Sequence, residues 1–286
     1  MFIGTEKLTH TYMPGTPYAN KAINEVSFSL NRGDFALVIG PSGSGKSTLI
    51  QHLNGLLKPD SGRVYYDGKA VGSEKGELLL LRRRIGLVFQ MPEDQFFAET
   101  VFDEVAYAPR NLGLDENGIR IRVADALGRV GLEAEKIQQR HPFQLSAGQK
   151  RLVAIAAVLS LQPEVMILDE PTVGLDPAAQ HKLLSLLAKL NRDLELTVII
   201  STHHLDDVAA LANKVLVLNG GQLVMYGPVE EVLATRGELH ALGLGLPAVT
   251  DIMHSLADRG LSLSRNIYTI EDARREIVKL RRRQRS

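Results

Sequence analysis

FALVIGPSGSGKSTLIQHLNGLL, residues 35–57, passes from a continuous apolar run through a glycine-rich turn into a helical pattern. The nine residues Gly40, Pro41, Ser42, Gly43, Ser44, Gly45, Lys46, Ser47 and Thr48 fit the phosphate-loop pattern G-x-x-x-x-G-K-[ST] in its strand, loop, helix setting. Glycines let backbone N–H groups close around phosphate oxygens. Lys46 is placed to reach the β and γ phosphates and the Ser47 hydroxyl to ligate Mg²⁺. A plain glycine-rich turn between a strand and a helix is the competing reading.

Outward from this stretch the periods alternate. VMILD (165–169) and TVIIST (197–202) are further continuous apolar runs that end in polar residues. Such runs suit parallel strands buried on both faces, and helical patterns between them predict a layered α/β sheet. EVSFSL (25–30) and GRVYYDG (62–68) read as short strands, and KVLVLNGGQLVMYG (214–227) reads as a hairpin turning at Gly220–Gly221. Residues 98–160 read as a mostly helical insertion with a loop at APRNLGLDENG (108–118). Two short helices are expected near 247–259 and 269–283. The organisation expected is a main domain over 1–235, with its helical subdomain at about 98–160, and a small helical extension over 236–286.

Three polar strand ends accompany the phosphate loop. Asp169 and Glu170 close VMILD at the carboxyl edge of the sheet, where ligands of open α/β sheets bind. There Asp169 would hold the Mg²⁺ shell and Glu170 would polarise a water near the γ phosphate, unless the pair is a solvated turn or helix cap. Gln90 ends the run IGLVFQ, where its amide can reach Mg²⁺ or the attacking water, or lie on the surface. His203 and His204 follow TVIIST. An imidazole there can hydrogen-bond a γ phosphate, whereas adjacent histidines lack metal-ligand spacing. A solvated helix entry with Asp206 and Asp207 in its first turn is the alternative. A second helix N-terminus suited to an anion stands at LSAGQ, where Ser146, Ala147, Gly148 and Gln149 open the long apolar helix of the stretch 142–159. Ser146 as an ordinary N-cap is compatible with that role.

Composition narrows the partners. Lys plus Arg and Asp plus Glu are 33 each, so no global field draws the chain to nucleic acid. With no cysteine there is no disulfide framework and no thiolate site. The start MFIGTEKLTHTY lacks a basic region followed by an apolar run, so no signal peptide is expected. The longest apolar run, LVAIAAVLSL (152–161), is about half a membrane span, and a soluble chain is expected.

Taken in order, GPSGSGKST, Gln90, LSAGQ, VMILDEPT, GLD at 174–176 and His203 resemble the ATP-binding cassette (ABC) ATPases. The resemblance implies a P-loop NTPase fold: a layered, mostly parallel core sheet with an antiparallel β subdomain and a helical subdomain. It also implies ATP hydrolysis. In that family the signature helix of one subunit caps the ATP held by the phosphate loop of the other, which accounts for the second anion-binding terminus. Carried over residue by residue, Glu170 is implied as general base, Asp169 and Ser47 as Mg²⁺ ligands and Gln90 as their sensor. His203 is implied on the γ phosphate, Ser146 to Gln149 on the partner's nucleotide and Asp176 as the link between the two sites. Tyr12, in LTHTYMPGTPY, matches the aromatic that stacks on adenine, with Tyr18 as the competing candidate. Ala147 departs from the family's usual glycine.

A narrower resemblance covers nearly the whole chain. The segments TYMPGTPYANKAINEVSFSL, FQMPEDQFFAETVFDEVAYAPRNLGL and LPAVTDIMHSLADRGLSLSRNIYTIEDARREI look like the ATPases of energy-coupling factor transporters. That likeness implies import of a vitamin or a transition-metal ion, and a place at the cytoplasmic face of the cell membrane. It implies a second ATPase, identical or a paralogue, joined through the C-terminal helices. A transmembrane scaffold would be received near Pro92–Phe97, with a small substrate-binding membrane subunit beside it. In the last segment Ile270, Ala273, Ile277 and Leu280 follow helical spacing, and the Arg-rich remainder is a solvated face or touches anionic lipid. A repair or translation ATPase would carry two fused cassettes or a long coiled coil, and a small-molecule kinase would not need LSAGQ before a helix.

Overall fold

The computed structural model describes residues 1–72, 74–203, 205–206 and 208–283, side chains at 75, 93, 94 and 283 excepted. Two sheets organise it. Strands β1 (Ile3–Tyr12), β2 (Asn20–Leu30), β4 (Ser61–Tyr66) and β5 (Lys69–Ala70) pair antiparallel in the order β2-β1-β4-β5. Strands β3 (Phe35–Ile39), β6 (Ile85–Val88), β7 (Val165–Asp169), β8 (Thr197–Ser201), β9 (Lys214–Asn219) and β10 (Gln222–Pro228) form the second sheet in the order β10-β9-β3-β8-β7-β6. All of its pairs are parallel except β9 with β10.

Every residue of β3, β7 and β8 is buried, which is why these strands read as unbroken apolar runs. Their side chains alternate between two cores, as a period of two requires. Phe35, Leu37 and Ile39 of β3 join Met166, Leu168, Val198, Ile200, Val215 and Val217 on the helical side. Ala36, Val38, Val165, Ile167, Ile199, Leu216 and Leu218 face the antiparallel sheet and α1 (Lys46–Leu53) on the other. The parallel sheet is thus the middle wall of a three-layer molecule. The β9–β10 hairpin turns at Gly220 and Gly221, with φ of 53° and 79°, as a two-residue turn with positive φ at both positions demands. Glu164 ties the layers together by accepting from Arg32 at 2.5 Å and from Arg84 at 2.8 Å, the latter at the end of α2 (Lys75–Arg84).

The helical layer comprises α3 (Val101–Asn111), α4 (Glu116–Arg129), α5 (Ala134–Ile137) and α6 (Ala147–Leu159). Thr100, Asp115 and Ser146 cap α3, α4 and α6 by accepting a backbone N–H with the side chain. The loop expected over 108–118 is narrower: α3 continues through Pro109 to Asn111, and Asp115 already caps α4. After β7 comes α7 (Pro177–Leu194), capped by Asp176. Beyond the hairpin lie α8 (Val229–Ala234), α9 (Arg236–Ala241), α10 (Ala248–Asp258) and α11 (Ile270–Arg283). Arg236 pairs with Asp251 at 2.8 Å, and Ala248 N–H donates to Asp206 Oδ1 at 2.6 Å, pinning α10 beside the segment that follows His203. Of the four apolar residues expected to pack on α11, Ala273 is buried, Ile277 and Leu280 are half-buried and Ile270 is 74% exposed. That face is only partly covered within one chain.

Candidate functional site

The turn that follows β3 is shaped by what surrounds it. A Cβ at Gly40 would lie 2.2 Å from the Leu218 carbonyl and 2.5 Å from Ser44 Oγ, so only glycine lets the chain pass between β9 and the loop. Gly45, at φ 102°, precedes α1, and a Cβ there would meet the Ala22 carbonyl at 2.4 Å. Because the N-cap is this glycine, no side chain occupies the first-turn amides of α1, and no acid stands in that turn. Those donors are left for an anion. Lys46 Nζ donates to the carbonyls of Gly40 at 2.7 Å and Pro41 at 3.1 Å. Burial pushes its pKa below the ordinary lysine value, against the opposing pull of Glu170 and Asp169. Ser42, Gly43 and Ser47 are exposed at the mouth of the loop. Thr48 is buried, with its hydroxyl 3.2 Å from that of Tyr12. The Tyr12 ring is held edge-on by His10 at 4.7 Å, while Tyr18 is 80% exposed.

The acidic edge lies at the ends of β7 and β8, where Asp169 and Ser201 are register partners. Ser201 Oγ donates to Asp169 Oδ1, orienting that carboxylate. Glu170 takes φ 46°, uncommon for a residue with a side chain, and its N–H donates to the Ser201 carbonyl at 2.9 Å. Its Oε1 lies 2.7 Å from His203 Nδ1, and its Oε2 is buried with no hydrogen-bond partner. His204 and Asp207 lie outside the described residues. A cavity of about 390 Å³ is lined by Gln90, Thr172, Val173, Gln180, His203 and Asp206 among others. Gln90 is exposed two residues past β6, and its carbonyl accepts from Arg151 Nη1 at 2.6 Å.

The remaining sequence-derived residues form a second group. Ser146 Oγ accepts from Gln149 N–H at 3.3 Å and Gln149 Oε1 accepts from Ser146 N–H at 3.2 Å, a capping box that sets the start of α6. Gly148, Gln149 and Asp176 line a common cavity of about 510 Å³, and Ala147 is exposed beside it. Two side chains of the site were not singled out from sequence. Ser201 ends an apolar run, and its signal is a hydroxyl in register with an acid. Arg151, 3% exposed, follows Lys150 and is buried where the helix turns apolar, and its signal is a cation at the head of that apolar run.

A family model described as ABC transporter matches residues 23–173. An energy-coupling factor transporter ATP-binding protein of Clostridium tetani is 45% identical over 98% of this chain and 97% of its own length. One from Symbiobacterium thermophilum is 47% identical over 94% and 92%. The chain belongs to the ABC transporter ATPases, in their energy-coupling factor branch.

Among solved structures, this ABC ATPase is similar to cbiO1 of Clostridium perfringens, described as part of the ABC transporter complex cbiONQ, with a TM-score of 0.75 and 37% identity over 88% of this chain and 98% of that one. It is also similar to a dimeric, post-hydrolysis cassette, MJ0796, bound to ADP and Pi, with a TM-score of 0.71 and 31% identity over 80% and 99%. The cassette's own residues fit a magnesium nucleotide. The unpartnered Glu170 oxygen, the uncapped α1 amides and the glycine cradle are all suited to a polyphosphate and a water. Among the described residues no three acidic or imidazole groups converge on a metal position. No helix among the described residues is long and apolar enough to cross a membrane.

Proposed function

We propose that this chain is the ATP-hydrolysing subunit of an energy-coupling factor importer for a vitamin or a transition-metal ion. The observation that carries the reading is Glu170, a buried carboxylate with one oxygen tied to His203 and the other unpartnered. Glu170 takes the proton of the attacking water as its oxygen bonds to the γ phosphorus and the bond to the β-phosphate oxygen breaks. His203 holds Glu170 in place and donates to the γ phosphate. Lys46 exchanges its two carbonyl partners for phosphate oxygens, and the amides of α1 meet the same charge. Asp169, oriented by Ser201, would hold Mg²⁺ with Ser47, and Gln90 would sense it. When bound, Mg²⁺ neutralises charge on the β and γ phosphates. Tyr12 stacks on adenine.

Ser146 to Gln149 of a second copy or paralogue cap the nucleotide, with Asp176 beside them at the dimer crossing. The extension over 236–286, with the exposed side of α11, supports pairing of two such ATPases at the cytoplasmic face of the membrane. The loop after Pro92 supports scaffold docking. Phe97 and Tyr107, 64% and 51% exposed, stack edge-on at 4.7 Å, and Met91 is exposed nearby in sequence. Buried Glu104 fixes that loop by accepting from Phe97 N–H at 3.1 Å and Ala98 N–H at 3.0 Å. Exposed aromatics in contact mark a protein-binding patch.

Gentle purification from native membranes followed by mass spectrometry tests the assembly. A multi-span scaffold and a small membrane protein recovered with the chain support the importer. Recovery with nucleic acid or ribosomes, or with no membrane partner, sinks the transport reading and leaves the ATPase chemistry standing.

A further inference from the structure

Arg151 stands five residues into the helix that Ser146 caps, about 7.5 Å along its axis from that terminus. It is 3% exposed. Its Nη1 donates to the Gln90 carbonyl at 2.6 Å and its Nη2 to the Val173 carbonyl at 3.2 Å. Both acceptors are main-chain oxygens, so the contacts fix backbone position whatever side chain stands at 90 or 173. One of them lies just past β6, in the segment that carries Gln90 toward the phosphate site. The other follows Glu170 by three residues and precedes Asp176 by three. A guanidinium is planar and rigid, with its donors in a fixed fork, so one group holds two chains at a set separation where an ammonium on a flexible stem would not.

We infer that Arg151 is a positioning residue that locks α6, the Gln90 segment and the segment leading to Asp176 into one body. Movement of α6 is then movement of Gln90 and of Asp176 together. The end of the helix that meets the partner's nucleotide cannot advance without re-aiming the amide at the metal position of its own site. The phosphate loop stands outside this body and binds nucleotide without it. The inference rests on the assignments of Gln90 and Asp176 proposed above.

The test compares Arg151→Met, which keeps length and removes every donor, with Arg151→Lys, which keeps the charge and loses the fork. Both are made in the full chain, alone and combined with Gln90→Ala, with the melting temperature as a check on folding. The expected result for Arg151→Met is ATP affinity within about twofold of wild type, kcat lowered at least tenfold and a severalfold higher Mg²⁺ concentration for half-maximal turnover. Arg151→Lys is expected in between. Arg151→Met combined with Gln90→Ala is expected to be little worse than Gln90→Ala alone, because coupled residues lose one shared interaction. Should the methionine variant not fold, the lysine variant alone is read by the same split of kcat from affinity. Additive losses, or losses that follow the melting temperature with no rescue by lysine, overturn the inference. If Gln90→Ala itself leaves the Mg²⁺ requirement unchanged, it is the assignment of Gln90 that fails. The Arg151 inference then falls or stands on whether kcat still separates from affinity.

Discussion

His203 Nδ1 lies 2.7 Å from Glu170 Oε1, and the two residues are joined a second time through the strand between them, since Glu170 N–H donates to the Ser201 carbonyl. A side-chain contact and a main-chain contact therefore set the same carboxylate. The free oxygen of Glu170 is aimed by both.

Replacing that carboxylate separates binding from turnover. Glu170→Gln keeps the shape and removes the base, so ATP binding is expected to persist while turnover falls by about 10²–10⁴ or more. On the proposed mechanism, two ATP molecules that are not hydrolysed would hold two subunits together. Size-exclusion chromatography with Mg·ATP is expected to show a stable dimer of this variant, and a monomer with wild-type turnover would rule the mechanism out.

Loss of the imidazole acts on the same oxygen by another route. His203→Ala is expected to lower kcat by roughly 10²-fold with a smaller change in nucleotide affinity, because the γ-phosphate donor and the orienting contact are lost together. Steady-state kinetics with a separate nucleotide-binding assay checks this. Equal losses in affinity and kcat would move His203 out of the reacting centre.

Lys46 makes nucleotide affinity depend on pH. Burial places its pKa below the ordinary lysine value, and a lysine loses its charge as pH rises through its own pKa. Phosphate oxygens favour the charged form, so ATP affinity is expected to fall as pH rises, beginning below the range near 10.4 where a free lysine titrates. Calorimetry on the falling part of that profile, in two buffers of different ionisation enthalpy, is expected to show proton uptake on binding. Lys46→Ala is expected to abolish both the binding and the uptake.

Tyr12 and Tyr18 make opposite predictions for the adenine. Tyr12 is attached to the phosphate loop through Thr48, whereas Tyr18 is 80% exposed. Tyr12→Ala is expected to cost about 1–3 kcal/mol of ATP affinity, the range for aromatic stacking on a base. Tyr18→Ala is expected to cost little. The comparison is a pair of titrations, and reversal of the two results would reassign the stacking residue.

Glu164 gives the fold its own pH signature. Burial raises its pKa, but hydrogen bonds from Arg32 and Tyr66 and the charges of Arg32 and Arg84 outweigh it, and the net shift is downward. A carboxylate with a depressed folded pKa stabilises the protein above its unfolded value of about 4.3 and loses that contribution as pH falls through the folded value. Glu164→Gln is expected to cost about 1 kcal/mol at neutral pH, with the difference from wild type shrinking below about pH 4. Denaturant unfolding across that range measures it.

The plainest signals in the sequence are those where burial is complete. β3, β7 and β8 are covered on both faces, so their apolar runs have no gaps, and Gly220–Gly221 marks its hairpin by conformation alone. β1 gives no clear strand signal because its register breaks repeatedly between Thr5 and Thr11, which scrambles the alternation that marks a half-buried strand. α2 gives no helical signal for a related reason. Leu79 and Leu80 are 51% and 61% exposed, so its leucines draw no apolar stripe. At the site, strand-end residues stood out because polar groups after apolar runs are conspicuous. Arg151 and Ser201 act through main chain or through another side chain, and no spacing in one dimension shows such contacts.

The position of β3 in its sheet also governs how the protein is made. Its two neighbours are β8 and β9, and the earlier of them, β8, is complete only when residue 201 has been added. The strand that carries the phosphate loop therefore leaves the exit tunnel early and waits unpaired on the order of ten to thirty seconds at ordinary rates of synthesis. Its apolar face is a natural client for a chaperone during that interval, and a truncated product ending before β8 has no neighbouring strand beside which to place it. A polypeptide that stops there also lacks His203, so the contact that sets the Glu170 carboxylate arrives with the same strand that gives β3 its place.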